Sequence, residues 1–423
     1  MISKSRTRTP MNPSLLEKIL KRIESYETEV VRIQKTLTSI PAISPDHGFE
    51  GEGKKAEAIK SMLLDLRCDD LREISAPDPR ARGHIRPNLI ARFKGRSAAK
   101  TNWILSHMDV VPPGDPGLWE NDPYTVVVRE GRCIGRGVED NHQGIVSSLL
   151  AVRAFRDEGV TPECDVGLAI VSDEETGSKF GIDYVLGRQP GLFRPQDWIV
   201  IPDAGNAEGT LIEVAEKSLL WLKCVTHGKQ AHGSEPEKGI NAHKASAHFV
   251  VKMNDLYAVF GNASAVFEPP ISTFEPTKKE ANVPNINTIP GTDTVYFDCR
   301  ILPEYDIRDV QRTIRSLADE IESEFGVRME LEYPQAVSAP PATPADAPVV
   351  LALKRAVREV SGREGKPLGI GGGTVAAVFR AAGLPAVCWQ TIEDTAHSPN
   401  ESCVIANVLG DAKVFAHLFL QTA

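Results

Sequence analysis

Leu15, Leu16, Ile19, Leu20, Ile23, Val30, Ile33 and Leu37 recur at steps of three and four, the spacing that lines one face of a helix with apolar side chains. One amphipathic helix is therefore predicted from Leu15 to Leu37, closed by Pro41 and Pro45. A second helical stretch covers Lys54 to Leu66. Short apolar runs at Trp103 to Leu105, Val166 to Val171 and Trp198 to Ile201 then alternate with a helical run at Ile145 to Phe155. That alternation predicts an α/β domain with a mostly parallel sheet.

The pattern changes between Glu216 and Tyr333. Leu219 to Val225 reads as a strand, Asn241 to Phe260 as a helix, Thr294 to Cys299 as a strand, Ile307 to Phe325 as a helix and Val327 to Leu331 as a strand. This β-α-β-β-α-β-like block is large enough to be a small α+β, ferredoxin-like domain. The Pro-rich and Ala-rich segment Pro334 to Pro348 marks its exit as an extended connection. A helix (Val349 to Val360), a glycine run (Gly369 to Gly373), a strand (Ala386 to Trp389) and a final helix (Val404 to Leu418) resume the α/β rhythm. The expected organisation is one α/β domain, residues 14–215 and 334–423, interrupted by residues 216–333.

Composition narrows the function classes. The 48 Lys+Arg against 57 Asp+Glu give a net charge of -9, too acidic for a general nucleic-acid binder. No apolar run reaches the ~18 residues of a membrane span, and no apolar core follows the polar start Met1 to Pro13, so a cytoplasmic protein is expected. Seven cysteines without a C-x-x-C pair suggest neither a disulfide framework nor a cysteine zinc site.

Ionisable residues gather immediately after the predicted strands. Trp103 to Leu105 leads into Ser106-His107-Met108-Asp109, Leu168 to Val171 into Ser172-Asp173-Glu174-Glu175, Ile199 to Ile201 into Pro202-Asp203, and Val387 to Trp389 towards Glu393 to His397. Open α/β sheets bind ligands beyond the carboxyl ends of their strands, so these groups point to one site. Imidazole and carboxylate without thiolate suit a catalytic divalent ion, zinc above all. His107 and His397 could each take one ion with Glu175 and Asp203 as partners, and Asp140 could bridge the two. Of the adjacent Glu174 and Glu175, one can ligate and the other serve as a base.

In order along the chain, Ser106-His107-Met108-Asp109-Val110-Val111-Pro112, Gly135-Arg136-Gly137-x-x-Asp140, Asp173-Glu174-Glu175-Thr176-Gly177, Asp203 and His397-x-x-Asn400-Glu401 resemble the metallopeptidase family of acetylornithine deacetylase, succinyl-diaminopimelate desuccinylase, aminoacylase and glutamate carboxypeptidase. The resemblance runs from about Leu15 to the C-terminus. It implies that His107, Asp140, Glu175, Asp203 and His397 hold two ions, with Asp140 bridging, Asp109 orienting the histidine and Glu174 acting as general base. Zinc is implied, with cobalt or manganese as replacements.

The inserted block is similar to the family's lid or dimerisation domain, which implies a homodimer. His232 in Gly228 to Ser234 matches a histidine that reaches a partner's site and steadies an oxyanion. Asn287, Arg300, Gly373 and Thr374 look like the family's substrate-binding positions, and they imply a small substrate bearing a carboxylate. The implied reaction is hydrolysis of an N-acyl amino acid, with a desuccinylase or a deacetylase as the nearest types. A dipeptidase or carboxypeptidase would use the same groups, and an inactive metal-binding relative is the third alternative. Two segments depart from the family pattern: Asp140-Asn141-His142-Gln143-Gly144, which lacks the usual lysine, and Thr374-Val375-Ala376-Ala377. A non-proline cis peptide, frequent in the family after the bridging acid, is expected at Asp140-Asn141.

Overall fold

Eight strands make the main sheet, in the spatial order Asp70–Glu73, Leu89–Phe93, Cys164–Val171, Ser97–His107, Trp198–Asn206, Ala386–Thr391, Leu211–Glu216 and Lys366–Ile370. The third to sixth of these run parallel. Antiparallel pairings join Asp70–Glu73 and Leu89–Phe93 on one side and Leu211–Glu216 on the other. The expected α/β sheet is thus parallel at its centre and antiparallel towards its margins. The computed structural model describes residues 13–422, and the polar first dozen residues lie outside them.

Burial explains why the central strands read as unbroken apolar runs. Trp103 and Leu105 pack with Ile182, Phe193 and Phe379, while the alternating Ile104, Leu168 and Val200 are equally buried. A parallel sheet covered on both faces needs apolar residues at every position. Helices His142–Asp157 and Ile405–Phe419 also lie against these strands.

The predicted first helix is two, Pro13–Glu24 and Glu27–Thr38. Tight turns from Ser25 N to Arg22 O and from Tyr26 N to Ile23 O break it. The break turns Tyr26 inward, where it is buried and its hydroxyl donates to Asp157 Oδ2 at 2.7 Å.

The chain divides into two compact units. The first is Met1–Val214, Thr343–Pro367 and Thr374–Ala423; the second is Ala215–Ala342 with Leu368–Gly373. The second unit holds a four-stranded antiparallel sheet in the order Thr273–Lys279, Thr292–Ile301, Ser218–His227, Arg328–Val337. Helices Ala242–Lys252 and Ile307–Phe325 complete its core through Phe249, Ile314, Leu317 and Ile321, packed on Leu220, Leu222 and Phe297. The strand expected to stop at Leu331 continues to Val337. Its register slips opposite Leu222, where Tyr333 and Pro334 face one residue. A bulge on an edge strand is where a proline costs no ladder hydrogen bond.

Candidate metal centre

The first unit brings the carboxyl ends of its strands together around two histidines. His107 closes Ser97–His107, Asp203 lies near the end of Trp198–Asn206, and Glu174 and Glu175 open the short 3-10 turn Glu174–Thr176 beyond Cys164–Val171. Asp140 sits two residues before helix His142–Asp157, and His397 follows strand Ala386–Thr391. The peptide between Asp140 and Asn141 is cis, as expected.

His107 Nε2 is 2.9 Å from Asp140 Oδ1, 3.4 Å from Asp203 Oδ1 and 3.9 Å from Glu174 Oε2. His397 Nε2 is 3.1 Å from Asp140 Oδ2 and 3.0 Å from Glu175 Oε2. Asp140 therefore offers one oxygen to each imidazole. Donor atoms of His107, Glu174 and Asp203 lie within 4.8 Å of one another, as do those of His107, Asp140 and Glu175. His397 extends the second group through its contacts with Asp140 and Glu175.

The electrostatics fit cations. Burial opposes a charge on His107, yet Asp203, Asp109 and Asp140 outweigh it and hold the imidazole pKa well above its usual value. Hydrogen bonds to Asp140 and Glu175 raise His397 to about 10. Burial, reinforced by Asp203, pushes the Glu174 carboxyl up. Five carboxylates, including Asp109, crowd two imidazoles, so the cluster calls for more positive charge than the histidines carry. Glu175 Oε1 is buried with no hydrogen-bond partner, an acceptor suited to an ion. The donor set fits one or two divalent cations.

A further layer of groups holds the donors in place. His107 Nδ1 lies 3.1 Å from the Asp109 carbonyl oxygen and 3.4 Å from Asp109 Oδ1. The Asp109 carboxylate also accepts from the N–H groups of Glu174 (3.2 Å) and Glu175 (3.0 Å). It thus fixes the turn carrying both glutamates as well as the histidine, a role sequence reasoning did not foresee. Asn141 Nδ2 donates to Asp203 Oδ1 at 2.7 Å and to the Pro202 carbonyl. Lys55 from helix Gly53–Asp65 places its Nζ 2.7 Å from His142 Nε2. Burial pulls the Lys55 pKa down to about 7.

Residues 103–421 match the model of peptidase family M20/M25/M40. The chain belongs to that family. It is 38% identical to an uncharacterized metallohydrolase of Methanocaldococcus jannaschii over 92% of this chain and 98% of that one. It is 26% identical to a succinyl-diaminopimelate desuccinylase of Nitratiruptor, over 88% and 94% of the two chains. The aminopeptidase PepT of Bacillus cereus has the same fold, with a TM-score of 0.72 at 20% identity over 93% of this chain and 98% of that one. This M20 chain is accordingly a metal-dependent hydrolase of amide or peptide bonds.

The remaining predicted positions fall mostly in the second unit of the M20 chain. His232 pairs with Thr288 on a two-residue ladder, and Gly233 N donates to Asn287 O at 2.7 Å, so His232 and Asn287 share one structure. His232 Nδ1 accepts from Ser234 N at 3.2 Å, which leaves Nε2 carrying the proton. Its side chain is exposed, an available donor. Arg300 forks onto Asp298 at 2.6 and 2.8 Å and donates to Gly371 O at 2.6 Å. Its guanidinium is thus held by an acid and by the glycine run. A Cβ on Gly373 would meet nothing within 4 Å. Thr374 belongs to the first unit and caps helix Val375–Ala381, its hydroxyl accepting from Ala376 N at 3.2 Å.

Among the described residues no helix is long and apolar enough to cross a membrane.

Proposed function

We propose that the chain is a two-ion amidohydrolase that cleaves a small N-acyl amino acid. The observation that carries this reading is the pair of donor groups that meet on Asp140, His107 with Asp203 on one oxygen and His397 with Glu175 on the other. Two divalent ions held there, zinc first and cobalt or manganese as replacements, would polarise an amide carbonyl and ease proton loss from a water. The Glu174 carboxylate, beside His107 at 3.9 Å, takes that proton and hands it to the departing amine nitrogen. Attack forms the new C–O bond, the C–N bond breaks, and the amine leaves with the proton Glu174 carried. Asp109 keeps His107 oriented through Nδ1.

The desuccinylase relative supports an N-acyl amino acid with a free carboxylate as substrate. Release of an amino acid from a dipeptide is the second reading, supported by the peptidase family itself. In either case Asn287, Arg300, Gly373 and Thr374 line the substrate, with Arg300 trading part of its bond to Asp298 for the ligand. The second unit serves as a lid and as the surface of a homodimer, and the exposed His232 Nε2–H supplies an oxyanion donor, a contribution of about 3 kcal/mol for a preorganised group.

Free-amine release tests the reading, with chelator-stripped protein offered N-succinyl-diaminopimelate, N-acetylornithine, other N-acyl amino acids and dipeptides, with and without zinc, cobalt or manganese. Cleavage of N-acyl amino acids that appears only with added ion is expected. Cleavage of dipeptides alone would move the assignment to the second reading. Metal-independent cleavage would sink both.

A further inference from the structure

Two buried glutamates tie the segments that carry Asp140 and His397 to one another. Glu139 directly precedes Asp140 and is 3% exposed. Its carboxylate accepts from the main-chain N–H groups of Glu393 (2.7 Å) and Thr395 (2.6 Å) and from the Thr395 hydroxyl (2.8 Å). Glu401, fully buried four residues after His397, accepts from the N–H groups of Gly137 (2.8 Å), Glu139 (2.9 Å) and Asp140 (3.0 Å) and from Arg136 Nη1 (2.7 Å). Each loop thus lends a carboxylate that fixes the backbone of the other.

The loop carrying His397 needs such support. Asp394, His397 and Asn400 all take left-handed backbone angles, with φ of 61°, 60° and 60°, a region unfavourable for residues with a Cβ. The His397 side chain is 56% exposed, against 18% for Asp140 and 7% for Glu175, so packing does little to hold it. Hydrogen bonds must. Asn400 contributes one set, to Leu118 O and Glu120 N, on the far side of His397. Glu139 contributes another on the near side, beside the Thr395–Ser402 bonds and the Arg132–Glu393 ion pair, and its charge makes its bonds strong.

We infer that Glu139 is a positioning residue that sets His397 against Asp140 and Glu175, and so governs binding of one of the two ions and not the other. The inference rests on the two-ion reading. His107, Asp203 and the Glu174 turn draw on different supports, Asp109 and Asn141. Loss of Glu139 therefore leaves the ion at His107 in place and loosens the ion at His397.

Glu139→Gln keeps the shape but turns one acceptor into an NH2 group facing N–H donors. The test is calorimetric titration of the metal-stripped full chain with Co2+, wild type beside the variant, with the cobalt visible spectrum followed in parallel. Wild type is expected to bind two ions. The variant is expected to bind the first as wild type does and the second roughly 10- to 100-fold more weakly, as supporting groups around metal ligands commonly do. Unchanged affinity for both ions, or equal weakening of both, overturns the role given to Glu139. A wild type that binds fewer than two ions overturns the two-ion reading instead. Should Glu139→Gln not fold, Glu139→Asp, which draws the carboxylate back from all three donors and disturbs no other bond of the His397 loop, replaces it, and weakening of the second ion alone is again required.

Discussion

Glu174 and Glu175 are sequence neighbours with different attachments. Glu175 Oε2 is hydrogen-bonded to His397, whereas Glu174 comes no nearer to His107 than 3.9 Å. Replacing Glu174 by Gln should therefore lower turnover by about 10²- to 10⁴-fold while metal analysis still finds two ions per chain. Retained activity would remove Glu174 from the role of base. The ionisable groups beyond strand ends could be read from the chain only as a set, because a histidine or acid after one apolar run is common and their recurrence after four is not. Glu139 could not. Its partners are main-chain N–H groups 254 and 256 positions further on, and no side chain in that loop announces that its backbone seeks an acceptor. Arg300 is held by Asp298, two residues away on the same strand face, which takes its fork.

At the scale of elements, period and burial explain which predictions held. Helix Ile307–Phe325 has the predicted limits because Ile314, Leu317 and Ile321 keep one buried stripe between an Asp306 cap and Gly326 at φ 68°. Strand Thr273–Lys279 escaped notice because it is an edge, exposed from Glu275 to Lys279 and interrupted by Pro276. Such strands carry little apolar signal. Helices His142–Asp157 and Ile405–Phe419 are joined by Asp411, buried and accepting from Gln143 Nε2 at 2.8 Å and from Thr391 N at 3.2 Å. Burial raises this carboxyl to about 7, outweighing those bonds. A carboxyl raised on folding is protonated in the native protein before it is in the unfolded chain, so its favourable contribution is complete below about pH 4 and fades as pH rises through 7. Asp411→Asn should flatten that decline. Denaturant unfolding of both proteins between pH 5 and 8 measures it, and parallel curves would show that Asp411 does not titrate in this range.

The two-unit organisation bears on the assembly proposed for the whole molecule. If His232 serves a neighbouring subunit, His232→Ala and Glu174→Gln chains, each inactive alone, should regain about a quarter of wild-type activity when mixed and re-paired. That figure follows because half the dimers are then mixed and each has one complete site in two. No recovery would confine His232 to its own chain or leave it without a role.

The order in which the chain supplies its parts has a final consequence. His107, Asp140, Glu174 and Asp203 are made early, but His397 and the Glu401 carboxylate that pins Asp140 come after the whole second unit. Helix Ile405–Phe419 comes later still, and Phe419 O accepts from Glu163 N at 3.0 Å beside the strand that leads to Glu174. On the ribosome, a nascent chain therefore carries an incomplete centre from the moment Asp203 is made until His397 follows, a span that includes the whole second unit.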